Sequence, residues 1–320
     1  MLRFLPLCAA LAFTEHPIIP DAGTIKGWSA DERELAVWGD RVVRARVRGG
    51  SAGTLPVPAG PYTEGGALFE RGIVLNQAAG RKALLYFRDG SQEEIATGVE
   101  ARDVLPARLF GRSGLLAIQK GIDLRFYWRD GGKWRERVLY SIYTPSFQGG
   151  IALDDVDGDG RTDIYCGNYW LRSPARFHLH WRLFAINVWS EEERSATMRL
   201  ARGGGGLMVA QRDMTPARLA RFAKPADPTQ MWTEIRLADS LAQPQGLAVA
   251  DFDGDGAEDV AAGEAAGAKR LLLHSGGQWN TLRQGQAVLG LRAVDGDLLV
   301  ITDRSVYLLD FTASRERGTQ

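Results

Sequence analysis

The chain of 320 residues is poor in cysteine, lysine and histidine. Its two cysteines, Cys8 and Cys166, are too few for a disulfide-stapled mini-domain or a cysteine-rich zinc cluster. Lysine occurs only at Lys26, Lys82, Lys120, Lys133, Lys224 and Lys269, so arginine carries most of the positive charge. The 39 basic residues are balanced by 39 acidic ones, which leaves a formal net charge of zero. A nucleic-acid-binding surface normally shows a basic excess, so no nucleic-acid partner is expected. No apolar run approaches the ~20 residues needed to cross a bilayer as a helix, so no transmembrane segment is expected. Histidine is confined to His16, His178, His180 and His274. What the chain does have is glycine and tryptophan, at 38 and 9 residues. With 45% hydrophobic and 24% charged residues it is ordered, and the glycines suit an all-β chain with many tight turns.

The first twelve residues have a single basic residue, Arg3, then a short apolar stretch ending in Ala10-Leu11-Ala12. That order fits a signal peptide over 1–12 and export of a bacterial protein to the periplasm or medium. A buried first strand is the alternative. Cys8 follows Pro6 and Leu7, a poor lipoprotein context. Once a leader is removed, Cys166 is the remaining thiol, and its apolar setting reads as a buried structural residue.

An apolar strand recurs along the chain, centred on Val37, Leu75, Ala117, Tyr165, Val209, Ala261 and Val300. The copies are spaced by 38 to 52 residues, the period of a β-propeller blade. A further strand follows most copies after a turn, at 41–45, 83–87, 124–128, 182–186, 270–274 and 306–310. A Gly-turn-Trp strand then follows several, around Trp134, Trp232 and Trp279. The expected architecture is a single seven-bladed propeller over 22–312, with a polar tail over 313–320. The last copy lacks its outer strand, and the segment 22–30 stands alone before the first. An N-terminal strand from that segment is therefore expected to complete the last blade and close the ring. Residues 213–223 suggest a helical turn or two within a loop. The run Gly203-Gly204-Gly205-Gly206 lacks the Lys-Ser/Thr of a phosphate loop and reads as a turn before a strand.

Two nine-residue acidic loops stand out. One runs Asp155-Val156-Asp157-Gly158-Asp159-Gly160-Arg161-Thr162-Asp163. The other runs Asp251-Phe252-Asp253-Gly254-Asp255-Gly256-Ala257-Glu258-Asp259. Carboxylates at positions 1, 3, 5 and 9 converge when the glycines at 4 and 6 let the chain coil tightly. Close carboxylates repel, and a hard cation with oxygen ligands resolves the repulsion. Ca²⁺ is the expected ion at two sites, with the position-7 carbonyl of Arg161 or Ala257 completing the shell. Solvated turns without metal, or Mg²⁺, are the alternatives. An EF-hand needs a glutamate at position 12 between helices; here that position is Cys166 or Ala262 and the flanks read as strands.

On these loops and their flanking strands, 150–153 with 164–167 and 246–250 with 260–263, the chain resembles FG-GAP or VCBS-type propeller repeats. The resemblance implies calcium held between two strands of a blade by Asp155, Asp157, Asp159 and Asp163, and again by Asp251, Asp253, Asp255 and Asp259. Two copies of seven carry the full motif, and Asp295-Gly296-Asp297 is a worn remnant.

The function expected is a monomeric, exported, calcium-stabilised module that binds a protein or glycan without catalysis. The expected binding elements are the long inserts at 49–66, 140–149, 168–181 and 213–229. Tyr169, Trp170 and Trp181 are the candidate ligand platform, since aromatic faces suit sugars and protein hot spots. Packing between blades is the competing role for these rings. The alternative function is a polysaccharide lyase or hydrolase on a propeller scaffold. His178 and His180 would then face one side of a strand, and Glu191-Glu192-Glu193 reads as a solvated turn. No catalytic constellation is visible in the sequence.

Overall fold

The computed structural model describes residues 12–58, 60–119, 123–142, 150–187 and 198–312. Residues 1–11 of the signal peptide expected over 1–12, the acidic run at 191–193, most of the 140–149 insert and the polar tail lie outside them. Every described element is a strand, and the 28 strands form seven four-stranded antiparallel sheets. Blade 1 comprises β2 (Ile25–Ala30), β3 (Glu34–Gly39), β4 (Val42–Arg46) and β5 (Gly53–Thr54); blade 2 comprises β6 (Tyr62–Phe69) to β9 (Ser91–Ala96). Blade 3 runs from β10 (Ala101–Leu109) through β11 (Arg112–Gln119) to β13 (Lys133–Ser141). Blade 4 holds β14 (Ile151–Asp154), β15 (Asp163–Cys166), β16 (Tyr169–Arg172) and β17 (Arg182–Ala185). Blade 5 holds β18 (Met198–Gly203), β19 (Gly206–Gln211), β20 (Ala217–Ala223) and β21 (Thr233–Leu241). Blade 6 holds β22 (Pro244–Ala250), β23 (Asp259–Glu264), β24 (Leu271–Ser275) and β25 (Gln278–Arg283). Blade 7 holds β26 (Val288–Val294), β27 (Asp297–Thr302), β28 (Val306–Asp310) and, from the other end of the chain, β1 (Thr14–Ile19).

All seven recurring apolar runs fall on the second strand of a blade, not the first as their position in the repeat suggests. The reason is burial. The first strand borders the central channel and the fourth borders solvent, whereas the second packs against neighbouring blades on both faces. β23 and β27 are buried at every residue, while β9 and β25 expose most of theirs. A strand buried on both faces reads as a continuous apolar run rather than an alternating one. The core is correspondingly divided into seven apolar clusters, one between each pair of adjacent blades. The cluster between blades 7 and 1 joins Leu299, Ile301 and Leu308 to Leu35, Val37 and Val43.

The strand that completes blade 7 is β1, paired with β28 from Thr14↔Asp310 to Ile19↔Val306. Phe13 packs on Phe311 at 5.7 Å between ring centroids, and Arg283 pairs with Glu15. Segment 22–30 instead contributes β2, the innermost strand of blade 1, so the propeller starts at about residue 14 and not at 22. Trp28 in β2 explains why that segment belongs there. Its indole lies against Gly290, where no side chain would fit, and its Nε1 donates to Leu289 O at 3.1 Å.

Three local expectations are corrected. Residues 217–223 form β20, not helix: it is buried on both faces, with Ala217 and Leu219 packed towards blade 6 and Ala220 and Phe222 towards blade 4, which is the i, i+2 spacing of a strand on each face. Segment 182–186 is the outer strand of blade 4, because β16 lies concealed in what reads as an irregular insert. His178 and His180 sit in an exposed turn, not on a strand, so no shared strand face aligns them.

Candidate metal loops and the face that carries them

Each acidic loop is the hairpin between the first and second strands of its blade, β14 to β15 in blade 4 and β22 to β23 in blade 6. Both therefore project from one face of the ring. The flanking strands exclude the helix-loop-helix alternative. Gly158 and Gly160 have φ of 74° and 81°, and Gly254 and Gly256 have 83° and 85°. Those angles are strained for any residue with a Cβ, which is why glycine recurs at positions 4 and 6.

The coil turns backbone N–H groups inward onto the first aspartate. In blade 4, Asp155 accepts from Asp159 N at 3.0 Å and Gly160 N at 2.8 Å. In blade 6, Asp251 accepts from Gly254 N at 2.7 Å and Gly256 N at 3.0 Å. Carboxylate oxygens of Asp155, Asp157 and Asp159 lie within 4.8 Å of one another, as do those of Asp251, Asp253 and Asp259. Asp163 stands outside its group and Asp255 outside the other. Asp163 is fully buried at the start of β15 and accepts from Val156 N at 3.1 Å and Ser173 N at 2.7 Å. Asp259, its counterpart, accepts from Phe252 N at 2.8 Å. Burial pushes both carboxyls up to about 6, against the pull of these N–H donors; nearby Asp157 and Asp159, or Asp253, add to the rise. At position 7, the backbone N–H of Arg161 donates to Asp159 at 2.9 Å and that of Ala257 to Asp255 at 2.7 Å.

The surroundings of the two loops differ. In blade 4, Arg172 Nε reaches Asp157 at 2.5 Å and its Nη2 lies 3.9 Å from Asp159, while Arg161 also pairs with Asp159. In blade 6 the position equivalent to Arg172 is Ser275, whose hydroxyl donates to Asp253. Among the described residues no ion pair reaches Asp251, Asp253, Asp255 or Asp259. The worn copy goes furthest towards arginine. Asp297, buried at the start of β27, accepts from Phe311 N at 3.0 Å and pairs with Arg48 of blade 1 at 2.5 Å.

Between the two loops lies the four-glycine turn of blade 5, a turn before a strand as expected. It floors a polar pocket of about 420 Å³ walled by Asp154, Tyr165, Arg202, Lys224 and Glu258. Arg202 pairs with Asp154 at 2.9 Å, Lys224 Nζ donates to Val156 O at 3.1 Å, and Gly204 N donates to Glu258. These contacts tie the blade 4 and blade 6 loops to the turn between them. Sequence reading missed this pocket, since no single stretch of chain contains it.

The expected aromatic platform is reduced to one residue. Trp170 is fully buried, stacked on Phe184 at 4.8 Å, with Nε1 donating to Pro228 O at 3.2 Å. Trp181 is buried against Phe110 in the cluster between blades 3 and 4. Neither offers a ring face to a ligand; Tyr169 is half-buried. Phe177 is held by Arg112 and Arg137, at 4.6 Å and 5.1 Å from its centroid, which docks the 173–181 segment onto blade 3. Cys166 is completely buried, and burial pushes its thiol up to about 12, the opposite of an activated nucleophile.

No helix among the described residues is long and apolar enough to cross a membrane. No known family profile matches the chain, and no curated protein matches it in sequence. Solved structures do match in fold. One is that of YCF48 bound to D1 peptide, 14% identical over 97% of this chain and 96% of that one, with a TM-score of 0.59. The β-propeller domain of Cps50 (Swd1) from Myceliophteria thermophila is 13% identical over 93% and 99%, with a TM-score of 0.60. BamB from Moraxella catarrhalis is 13% identical over 90% and 83%, with a TM-score of 0.52. At these identities the likeness is one of fold: the chain is a seven-bladed β-propeller.

Proposed function

We propose that the protein is an exported propeller of the FG-GAP/VCBS kind, stabilised by two calcium ions, that binds a protein or glycan without catalysis. The observation that carries the calcium reading is the repetition. Two hairpins at equivalent joints of two blades each gather three carboxylates within 4.8 Å. An all-oxygen donor set of that charge suits Ca²⁺. Asp155, Asp157 and Asp159 would hold one ion and Asp251, Asp253 and Asp259 the other. Asp163 instead accepts from the backbone N–H groups of Val156 and Ser173, and Asp255 from that of Ala257. Bound metal supplies positive charge that lets the carboxylates crowd together. The role is structural: an ion bound only by the folded chain stabilises it by mass action.

The binding reading rests on the pocket between the loops. Its hydroxyl, carboxylates, cations and exposed glycine backbone match the alternating donors and acceptors of a sugar or a polar peptide. Calcium titration by calorimetry and a glycan array or pull-down test the two halves separately. A protein that takes up no calcium removes the first. A binding partner whose affinity is unchanged by Tyr165→Phe and Glu258→Gln removes the pocket from the second.

A further inference from the structure

The central channel holds a cavity of about 210 Å³ whose polar lining is dominated by cations. Part of this charge is compensated along a chain of alternating sign. Asp213 pairs with Arg102 at 3.2 Å, Arg102 with Glu64 at 3.5 Å, and Glu64 with Arg212. Arg212 ends the chain. Its side chain is only 4% exposed, its Nε donates to Gln245 at 3.0 Å, and its Nη1 has no partner. Two further cations line the same cavity, Lys26 from blade 1 and Arg292 from blade 7, and neither makes an ion pair among the described residues. The Nε of Arg292 is shielded from water and has no partner either. The remaining carboxylate in the lining, Asp103, accepts from Gly150 N at 2.9 Å.

We propose that this channel binds a small oxyanion, held by Arg292 and Arg212 with Lys26 at the rim. A confined, partly desolvated cavity makes the unpaired guanidinium of Arg292 and the unpartnered Nη1 of Arg212 costly, and an anion removes that cost. Arginine is suited to the task because its planar fork meets carboxylate, sulfate or phosphate with paired N–H donors. The lining converges from all seven blades, so a bound anion would also tie the inner strands together. The site lies in the channel, apart from the acidic hairpins, and does not depend on calcium.

The test uses the full chain at fixed calcium, with sodium sulfate and sodium succinate as probes and sodium chloride at matched ionic strength as control. The expected result is a saturable rise in melting temperature with an oxyanion and none with chloride. A response to sulfate alone assigns a tetrahedral ligand; a response to succinate alone assigns a carboxylate. Arg292→Gln, which breaks no ion pair, should weaken binding by about tenfold or more. Should that variant misfold, the exposed Lys26→Gln gives the same reading with a smaller loss. Glu64→Gln should tighten binding by freeing Arg212. The proposal is overturned if neither oxyanion gives a saturable shift beyond chloride, or if binding is undiminished in the cation variants.

Discussion

The loops of blades 4 and 6 share eight carboxylates' worth of pattern and the same backbone coil, yet their neighbours treat that charge differently. Blade 4 answers its aspartates with Arg161 and Arg172; blade 6 offers only Ala257 and Ser275 at the same places. Blade 7 completes the series, with one buried aspartate left and Arg48 paired to it. The comparison teaches that a crowded carboxylate can be neutralised by an arginine or by a metal, and that the two compete for the same oxygens. On the proposed calcium reading, blade 6 is expected to carry the stronger site and blade 4 the weaker.

Removing calcium altogether tests whether the comparison has any substance. An ion at a hundredfold over its Kd stabilises by about 2.7 kcal/mol, so chelation should lower the melting temperature by several degrees. An unmoved transition in differential scanning calorimetry would end the calcium reading for both loops. The next test exchanges the neighbours. Arg172→Ser should strengthen the blade 4 site and Ser275→Arg should weaken the blade 6 site, each by about tenfold in Kd, or about 1.4 kcal/mol, in calorimetric titration. Equal affinities before and after the exchange would show that arginine does not compete. Backbone geometry gives a loop-neutral control. Gly256→Ala and Gly160→Ala both place a Cβ at positive φ and should cost about 1 to 2 kcal/mol each in denaturant unfolding, alike in the two blades.

The smallest effect is that of pH. Asp163 and Asp259 have folded-state values near 6, above the ordinary carboxylate range. Between about 6 and 4 the folded, metal-free chain binds more protons than the unfolded one, so its stability should rise as pH falls through that window and decline as pH rises through 6. With calcium bound the trend should reverse, since the ion needs the ionised carboxylates. Denaturant midpoints at several pH values, with calcium and with chelator, would show whether the two slopes have opposite sign.

Much of the fold was legible because it repeats. Seven apolar runs at a blade-length spacing are a statement about burial on both faces, and each proved to be a second strand. The first strands were harder to read, since the channel lets polar residues such as Lys26 and Arg102 interrupt them. β16 is only four residues long and β20 carries two arginines, so neither resembles the repeat it belongs to. The loops were legible in residue type and spacing. Their arginine neighbours were not, because Arg172 reaches the loop from the next strand and Arg48 reaches Asp297 from another blade.

The sequence by itself determined the repeat, the blade count, the acidic hairpins and the glycines that let them coil, because each is a local pattern of burial or backbone angle. The tertiary structure decided which strand closes the ring, which tryptophans are buried, how each loop's charge is met, and that cations from four blades converge on one channel. Those features depend on residues far apart in the chain meeting across blade interfaces, and no local pattern records which partners will meet.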